Sequence, residues 1–279
     1  MYYLELSDKD FALFRSLVYE KCGINLHEGK KELVRARLGK RLRQTHFKKF
    51  SQYYKYLIEE DTGDELIEML NAISTNLTSF FRESKHFDFL TEEALPSYAS
   101  RLPSDRSRPL RVWSAGCSSG EEPYSIAIQL CEYLKSAATR DIHILATDIS
   151  TKVLSTAVGG IYQEAQTGTI SKELLRKYFQ KGLGKWQGHY RIKAFVRNMV
   201  EFRRLNLMEP FSFHQPFDII FCRNVMIYFD KKGQQTVIDK FYKHLVRGGY
   251  LFIGHSESLM STKHRFKYVQ PTIYLKNTD

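Results

Sequence analysis

The chain has 279 residues and 43% apolar content, ample for a buried core, and its length predicts a large domain with a smaller companion. The opening MYYLELSDKD lacks the basic-then-apolar layout of a secretory signal, and no apolar run reaches the roughly eighteen residues of a membrane helix, so a soluble, cytoplasmic protein is expected. Cys22, Cys117, Cys131 and Cys222 lie far apart without a C-x-x-C pair, which argues against a zinc knuckle or disulfide framework, while a formal net charge of +11 points to an acidic partner that composition does not identify.

Up to about residue 90 the apolar spacing is helical: Phe11, Phe14, Leu17 and Val18; then Leu33, Leu38 and Leu42; then Leu66, Met69, Leu70 and Ile73. Ser7 ahead of Asp8 and Asp10 provides a cap and acidic groups for a helix N-terminus. Residues 30–49 hold nine Lys and Arg against one Glu, and read as a basic helix over about 30–45. Such a run is either a solvated face or a binding surface. The two prolines, serines and mixed charges of LPSDRSRPL (102–110) mark a connecting segment, so residues 1–90 are assigned to a helical domain and 91–109 to a linker.

From residue 110 to 279 short apolar runs alternate with helical stretches, the mark of parallel strands with crossover helices. The strands are LRVWSA (110–115), IHILATD (142–148), FDIIFCRN (217–224) and GYLFIGH (249–255). Within this α/β domain, residues about 160–202 carry glycines and the alternating YRIK, read as a small antiparallel insertion.

Ligands of such sheets bind beyond the carboxyl ends of the strands. After the first strand, Gly116 and Gly120 permit a sharp turn and Pro123 suits a helix start. Glu121 and Glu122 in that turn disfavour phosphate and suit an ammonium group, as in S-adenosylmethionine. Asp148 ends the second strand, either to accept from ribose hydroxyls or to cap the next helix. Asn206 offers an amide for adenine, and Arg223, Asn224 and Tyr228 leave the fourth strand, Tyr228 alternatively as a packed core ring.

Together TNLTSFFRE (75–83), VWSAGCSSGEEPYSIA (112–127), ATDIS (146–150), FCRNVMIYFD (221–230) and GGYLFIGHSES (248–258) resemble the CheR-type chemotaxis receptor methyltransferases over nearly the whole chain. The resemblance implies an all-α N-terminal domain before a Rossmann-like S-adenosylmethionine-dependent methyltransferase domain with an inserted antiparallel β-subdomain. It implies transfer of methyl groups from S-adenosylmethionine, without a metal, to receptor glutamate side chains, by a monomer that binds no nucleic acid. As cofactor contacts it implies Asn76, Thr78, Arg82, Glu122 with Glu121 adjacent, Asp148, Asn206, Leu207, Arg223 and Asn224, with Arg82 and Tyr228 at the reaction centre. Arg37 and Arg43 on the basic helix are implied to face the receptor's helical cytoplasmic domain. Gly182, Gly184 and Gly188 resemble a loop that docks a C-terminal receptor tether.

Three rival readings stand beside this one. Gly116-Cys117-Ser118-Ser119-Gly120 fits the nucleophile-elbow pattern G-x-S-x-G, with Asp218 and His255 following in hydrolase order. Against it, the motif ends what reads as the first strand. A nucleic-acid methyltransferase suits the charge, yet R-N-V-M-I-Y stands where base-methylating enzymes resemble one another in N-P-P-Y. A noncatalytic adenosylmethionine-binding regulator is the third.

Overall fold

The computed structural model describes residues 4–101, 109–134 and 142–277. Ser7 caps α1 (Asp8–Cys22), its hydroxyl accepting from the Asp10 N–H at 3.0 Å, and Gly23 closes the helix in the left-handed region. Phe11, Phe14, Leu17 and Val18 are buried, as their spacing requires. They pack with α2 (Lys31–Leu42), α3 (Phe50–Glu59) and α4 (Asp64–Ile73) into a separate core in which Phe14 meets Phe50, Tyr53 and Tyr54. The basic helix is α2, and much of its charge is paired: Arg35 with Glu32, and Arg41 with Glu65 through two hydrogen bonds.

Beyond α4, α5 (Lys85–Phe89) continues through a π turn at Leu90–Ala94 into α6 (Leu95–Arg101). Residues 91–101 are therefore helix, where the composition of the sequence suggests a linker. Leu90, Ala94 and Leu95 are buried in the main core, and Phe89 packs edge-on to Tyr250 at 5.4 Å. Residues 102–108 of that linker lie outside the described residues.

The main domain runs β1 (Leu110–Ala115), α7 (Glu121–Leu134), β2 (Ile142–Asp148) and α8 (Thr151–Gly159). The insertion follows: β3 (Ile161–Gln163), α9 (Lys172–Tyr178), β4 (Phe179–Lys181), β5 (His189–Ile192) and α10 (Ala194–Arg197), its strands forming an antiparallel sheet ordered β3-β5-β4. The chain then returns to the main sheet as β6 (Val200–Arg204), parallel to β2 with Val200 opposite Ile144. Residues 200–202 thus belong to the large sheet, and the insertion ends before them. β7 (Phe217–Cys222), α11 (Lys231–His244), β8 (Leu245–Ile253), β9 (Phe266–Gln270) and β10 (Ile273–Lys276) complete a seven-stranded sheet ordered β6-β2-β1-β7-β8-β10-β9. The first five strands are parallel; β10 and β9 are antiparallel.

Strand order reverses between β1 and β7, where Val112 pairs with Ile144 on one side and Ile219 on the other. The crevice outside the carboxyl ends at such a switch point is where this architecture holds ligands. Trp113, Ile220 and Val237 pack one face of the sheet, Val112, Ile126 and Phe221 the other.

Candidate active site

The turn after β1 depends on two unusual conformations. Gly116 has φ +83°, and a Cβ there would sit 2.3 Å from Val225 Cγ2; Ser118 has φ +49°. The two glutamates that follow point to different places. Glu122 accepts from Ser114 Oγ and from Arg223 Nε, each at 2.7 Å. Glu121 turns away and accepts from Ser119 Oγ at 2.7 Å, with burial raising the pKa of its carboxyl group. At the end of β2, Asp148 accepts from the Ser118 and Ser150 N–H groups at 2.8 and 2.9 Å; burial raises its pKa although those N–H groups oppose the shift. Ser150, not Asp148, caps α8 by accepting from the Val153 N–H.

Arg223 is 6% exposed and joins three elements. Besides Glu122, its Nη1 donates to the Arg82 carbonyl at 2.6 Å and lies 3.1 Å from His86 Nδ1. Since that guanidinium N–H only donates, Nδ1 accepts, and Nε2 carries the proton toward Thr272 Oγ1 at 2.7 Å. Burial, then the charges of Arg223 and His255, push the His86 pKa down to about 3, so the ring is neutral.

The segment from Asn224 to Tyr228 is held from beneath by Glu257. Its buried carboxylate accepts from the N–H groups of Asn224, Val225, Met226 and Gly254 at 2.6–2.9 Å, and of Ile227 at 3.3 Å. Asn224 has φ +59°, and Gly254 leaves room for it: a Cβ there would meet Asn224 Nδ2 at 2.5 Å. Among the described residues four of the five non-glycine positive φ values, at Glu83, Ser118, Asn224 and Thr272, fall at residues bonded to this network, and the fifth, Phe81, adjoins Arg82. Strain concentrated in that way is characteristic of functional sites.

The helical domain completes the site from above. Asn25 N–H donates to the Tyr228 carbonyl at 2.8 Å, and Ile24 forms an antiparallel bridge with Phe229. Asn206 donates Nδ2 to the Lys21 carbonyl at 2.6 Å and to Glu209, and accepts from the Met208 N–H. The amide expected to offer a donor and an acceptor to adenine thus has its N–H groups committed to the protein and its oxygen shared with Met208. Residues 76–84 cross between the domains: Ser118 Oγ donates to the Asn76 carbonyl, Arg82 Nη1 to the Leu77 carbonyl, and Phe80 packs edge-on to Tyr162 and Phe179 of the insertion.

These elements enclose a cavity of about 340 Å³. Asn76, Thr78, Arg82, Glu122, Asp148, Asn206, Leu207, Arg223, Asn224 and Tyr228 all line it, together with Lys30 of the basic run and with Ile24, Leu26 and Leu33, which carry no site signal in the sequence. Glu121 does not. Arg37 and Arg43 lie off the cavity, Arg43 exposed and Arg37 half-buried with its Nη1 on Ile73, Ser74 and Thr75. Gly182, Gly184 and Gly188 form the hairpin loop between β4 and β5, where Leu183 is 83% exposed.

The hydrolase arrangement is not assembled. Asp218 is buried at the opposite end of the sheet, accepting from the Arg111 N–H, and Ser118 Oγ is bonded to the Asn76 carbonyl.

Family comparison agrees with this geometry. Residues 9–74 match the all-alpha domain of CheR methyltransferases, and residues 76–275 their SAM binding domain. A chemotaxis protein methyltransferase of Borreliella burgdorferi is 43% identical, covering 98% of this chain and 96% of its own. Those of Salmonella typhimurium and Escherichia coli are 40% and 39% identical, each covering 99% of this chain and 93% of its own. A helical domain closing over a strand-end cavity, matched along almost its full length, places the chain in the CheR family of S-adenosylmethionine-dependent methyltransferases.

Proposed function

We propose that the chain methylates glutamate side chains of chemotaxis receptors in the cytoplasm, forming methyl esters. The observation that carries this reading is the cavity itself: buried carboxylates at the switch point, a tyrosine and an arginine on its wall, and a basic helix at its edge. Bound S-adenosylmethionine supplies an electrophilic methyl group on a sulfonium. Glu122 attracts the ammonium of its amino-acid moiety, and Asp148, whose oxygens keep lone pairs beyond their backbone bonds, accepts from the ribose hydroxyls. With its amide donors spent, Asn206 contributes with Leu207 as an apolar-walled turn beside the adenine. Asn76 and Thr78 cover the site and exclude water.

No general base is needed, because a glutamate of ordinary pKa, about 4.3, is already a carboxylate at neutral pH. The residues' task is alignment. Arg82, with one nitrogen fixed on the Leu77 carbonyl, turns its remaining donors to the acceptor carboxylate, and the Tyr228 hydroxyl holds one oxygen. The receptor's acidic helices would lie along the exposed cations Lys30, Lys40 and Arg43. The Gly182–Gly188 loop flanks β4, an edge of the small sheet, to which a receptor tether can add as a strand and raise the local substrate concentration.

The test is incubation with tritiated S-adenosylmethionine and receptor-bearing membranes, followed by alkali. Volatile tritiated methanol is the expected product; label that stays on the protein in alkali would rule out a carboxyl ester.

A further inference from the structure

Between α4 and α5 the chain crosses from one domain to the other without pairing as a strand, and its carbonyls are held by side chains. Arg37 Nη1 takes the Ile73 carbonyl, the Ser74 carbonyl at 3.1 Å and Thr75 Oγ1 at 3.0 Å. Ser118 Oγ takes the Asn76 carbonyl at 3.1 Å and Arg82 the Leu77 carbonyl at 2.9 Å. The carbonyls on either side of Thr75 are thus gripped by different elements, those before it by Arg37 of the helical domain and those after it by Ser118 and Arg82. A cation at the carboxyl end of α4 also meets the negative end of that helix and its unpaired carbonyls. Residues 73–78 all line the cavity.

We infer that Arg37 is a positioning residue for cofactor binding. Its Nη1 fixes the segment that carries Asn76 and Thr78, whereas Arg43, six residues further along, is exposed. The same bonds tie the basic helix to the cofactor site, so a partner that moves α2 changes cofactor affinity, and cofactor changes partner affinity by the same factor.

The inference rests on the cofactor assignment above, and calorimetry with S-adenosylhomocysteine and the full chain separates the two. Wild-type protein giving no heat ends that assignment. With wild-type binding established, R37A is expected to weaken S-adenosylhomocysteine about tenfold without any receptor present, R37K by less, and R43A by under about twofold. R43A should instead raise KM for receptor. R37A binding S-adenosylhomocysteine within about twofold of wild type, while losing receptor methylation, would overturn the inference. Should R37A show no cooperative thermal transition, R37K and T75A decide in the same way: unchanged affinity in both overturns it, weakened affinity in both upholds it.

Discussion

Arg223 Nε donates to Glu122 Oε2 at 2.7 Å while its Nη1 donates to the Arg82 carbonyl at 2.6 Å, so one buried guanidinium fixes both the first turn of α7 and the arm that crosses the cavity. Breaking a buried ion pair by removing one partner costs about 3–5 kcal/mol, because the other charge stays buried. Glu122→Gln keeps the shape and removes the charge, and should both lower the melting temperature and weaken S-adenosylhomocysteine by at least about tenfold, the equivalent of one charge-assisted hydrogen bond. Calorimetry on folded variant that finds wild-type affinity would place the ammonium elsewhere.

Tyr228 is fixed through its backbone, which accepts from the Asn25 N–H at 2.8 Å, so the ring survives loss of its hydroxyl. Tyr228→Phe is expected to lower kcat by about 10²-fold, within the range for groups acting at the transition state, while S-adenosylhomocysteine affinity changes by less than about twofold. A variant with undiminished turnover removes the hydroxyl from the reaction.

The Gly116 turn admits no side chain. Gly116→Ala would strain a position at φ +83° by about 1–3 kcal/mol and push Val225, displacing the adjoining Asn224. Reduced stability together with lost cofactor affinity is expected. Gly159, in α8 with no atom beyond its own stretch of helix within 4 Å of where a methyl group would sit, is the control: its alanine variant should be neutral or stabilised by about 0.4–1 kcal/mol, read by denaturant titration.

Much of the site was legible because strand-end loops carry side-chain chemistry in sequence: Asp148, Arg223 and Asn224 stand where parallel strands stop, and Glu122 opens the helix that follows β1. The rest has no such signature. Ile24 and Asn25 act through the backbone. Glu83 and His86 gain their surroundings only when Arg223, 137 residues from His86 in sequence, folds against them. Glu257 stands inside the motif GGYLFIGHSES, but a carboxylate that serves only backbone N–H groups resembles any surface acid in sequence. The antiparallel pair β9–β10 has few residues and an exposed outer strand, so its alternation is faint.

His86 provides a pH signature. Its pKa is held at about 3 by burial and by Arg223 and His255, against about 6.5 in the unfolded chain. Between those values the unfolded state binds a proton that the folded state refuses, so this contribution to stability is complete above about pH 6.5 and declines as pH falls toward 3, by up to about 1.4 kcal/mol per pH unit. His86→Gln retains a donor for Thr272 and should flatten the stability profile across that window in urea titrations. Profiles of equal slope would show that His86 does not titrate in the unfolded state alone.

Glu257 offers the sharpest contrast between isosteres. Oε1 receives the N–H groups of Val225, Met226 and Ile227, and Oε2 those of Asn224 and Gly254, so both oxygens must accept. Glu257→Gln places an amide donor against backbone donors whichever way it turns, leaving buried N–H groups unsatisfied at about 1–3 kcal/mol each. Because those N–H groups belong to the segment that presents Asn224 and Tyr228, turnover should fall along with stability. Ser256→Ala, altering an exposed neighbour, should change neither. If the glutamine variant keeps wild-type kcat and melting temperature, the N–H cluster does not set the shape of that segment.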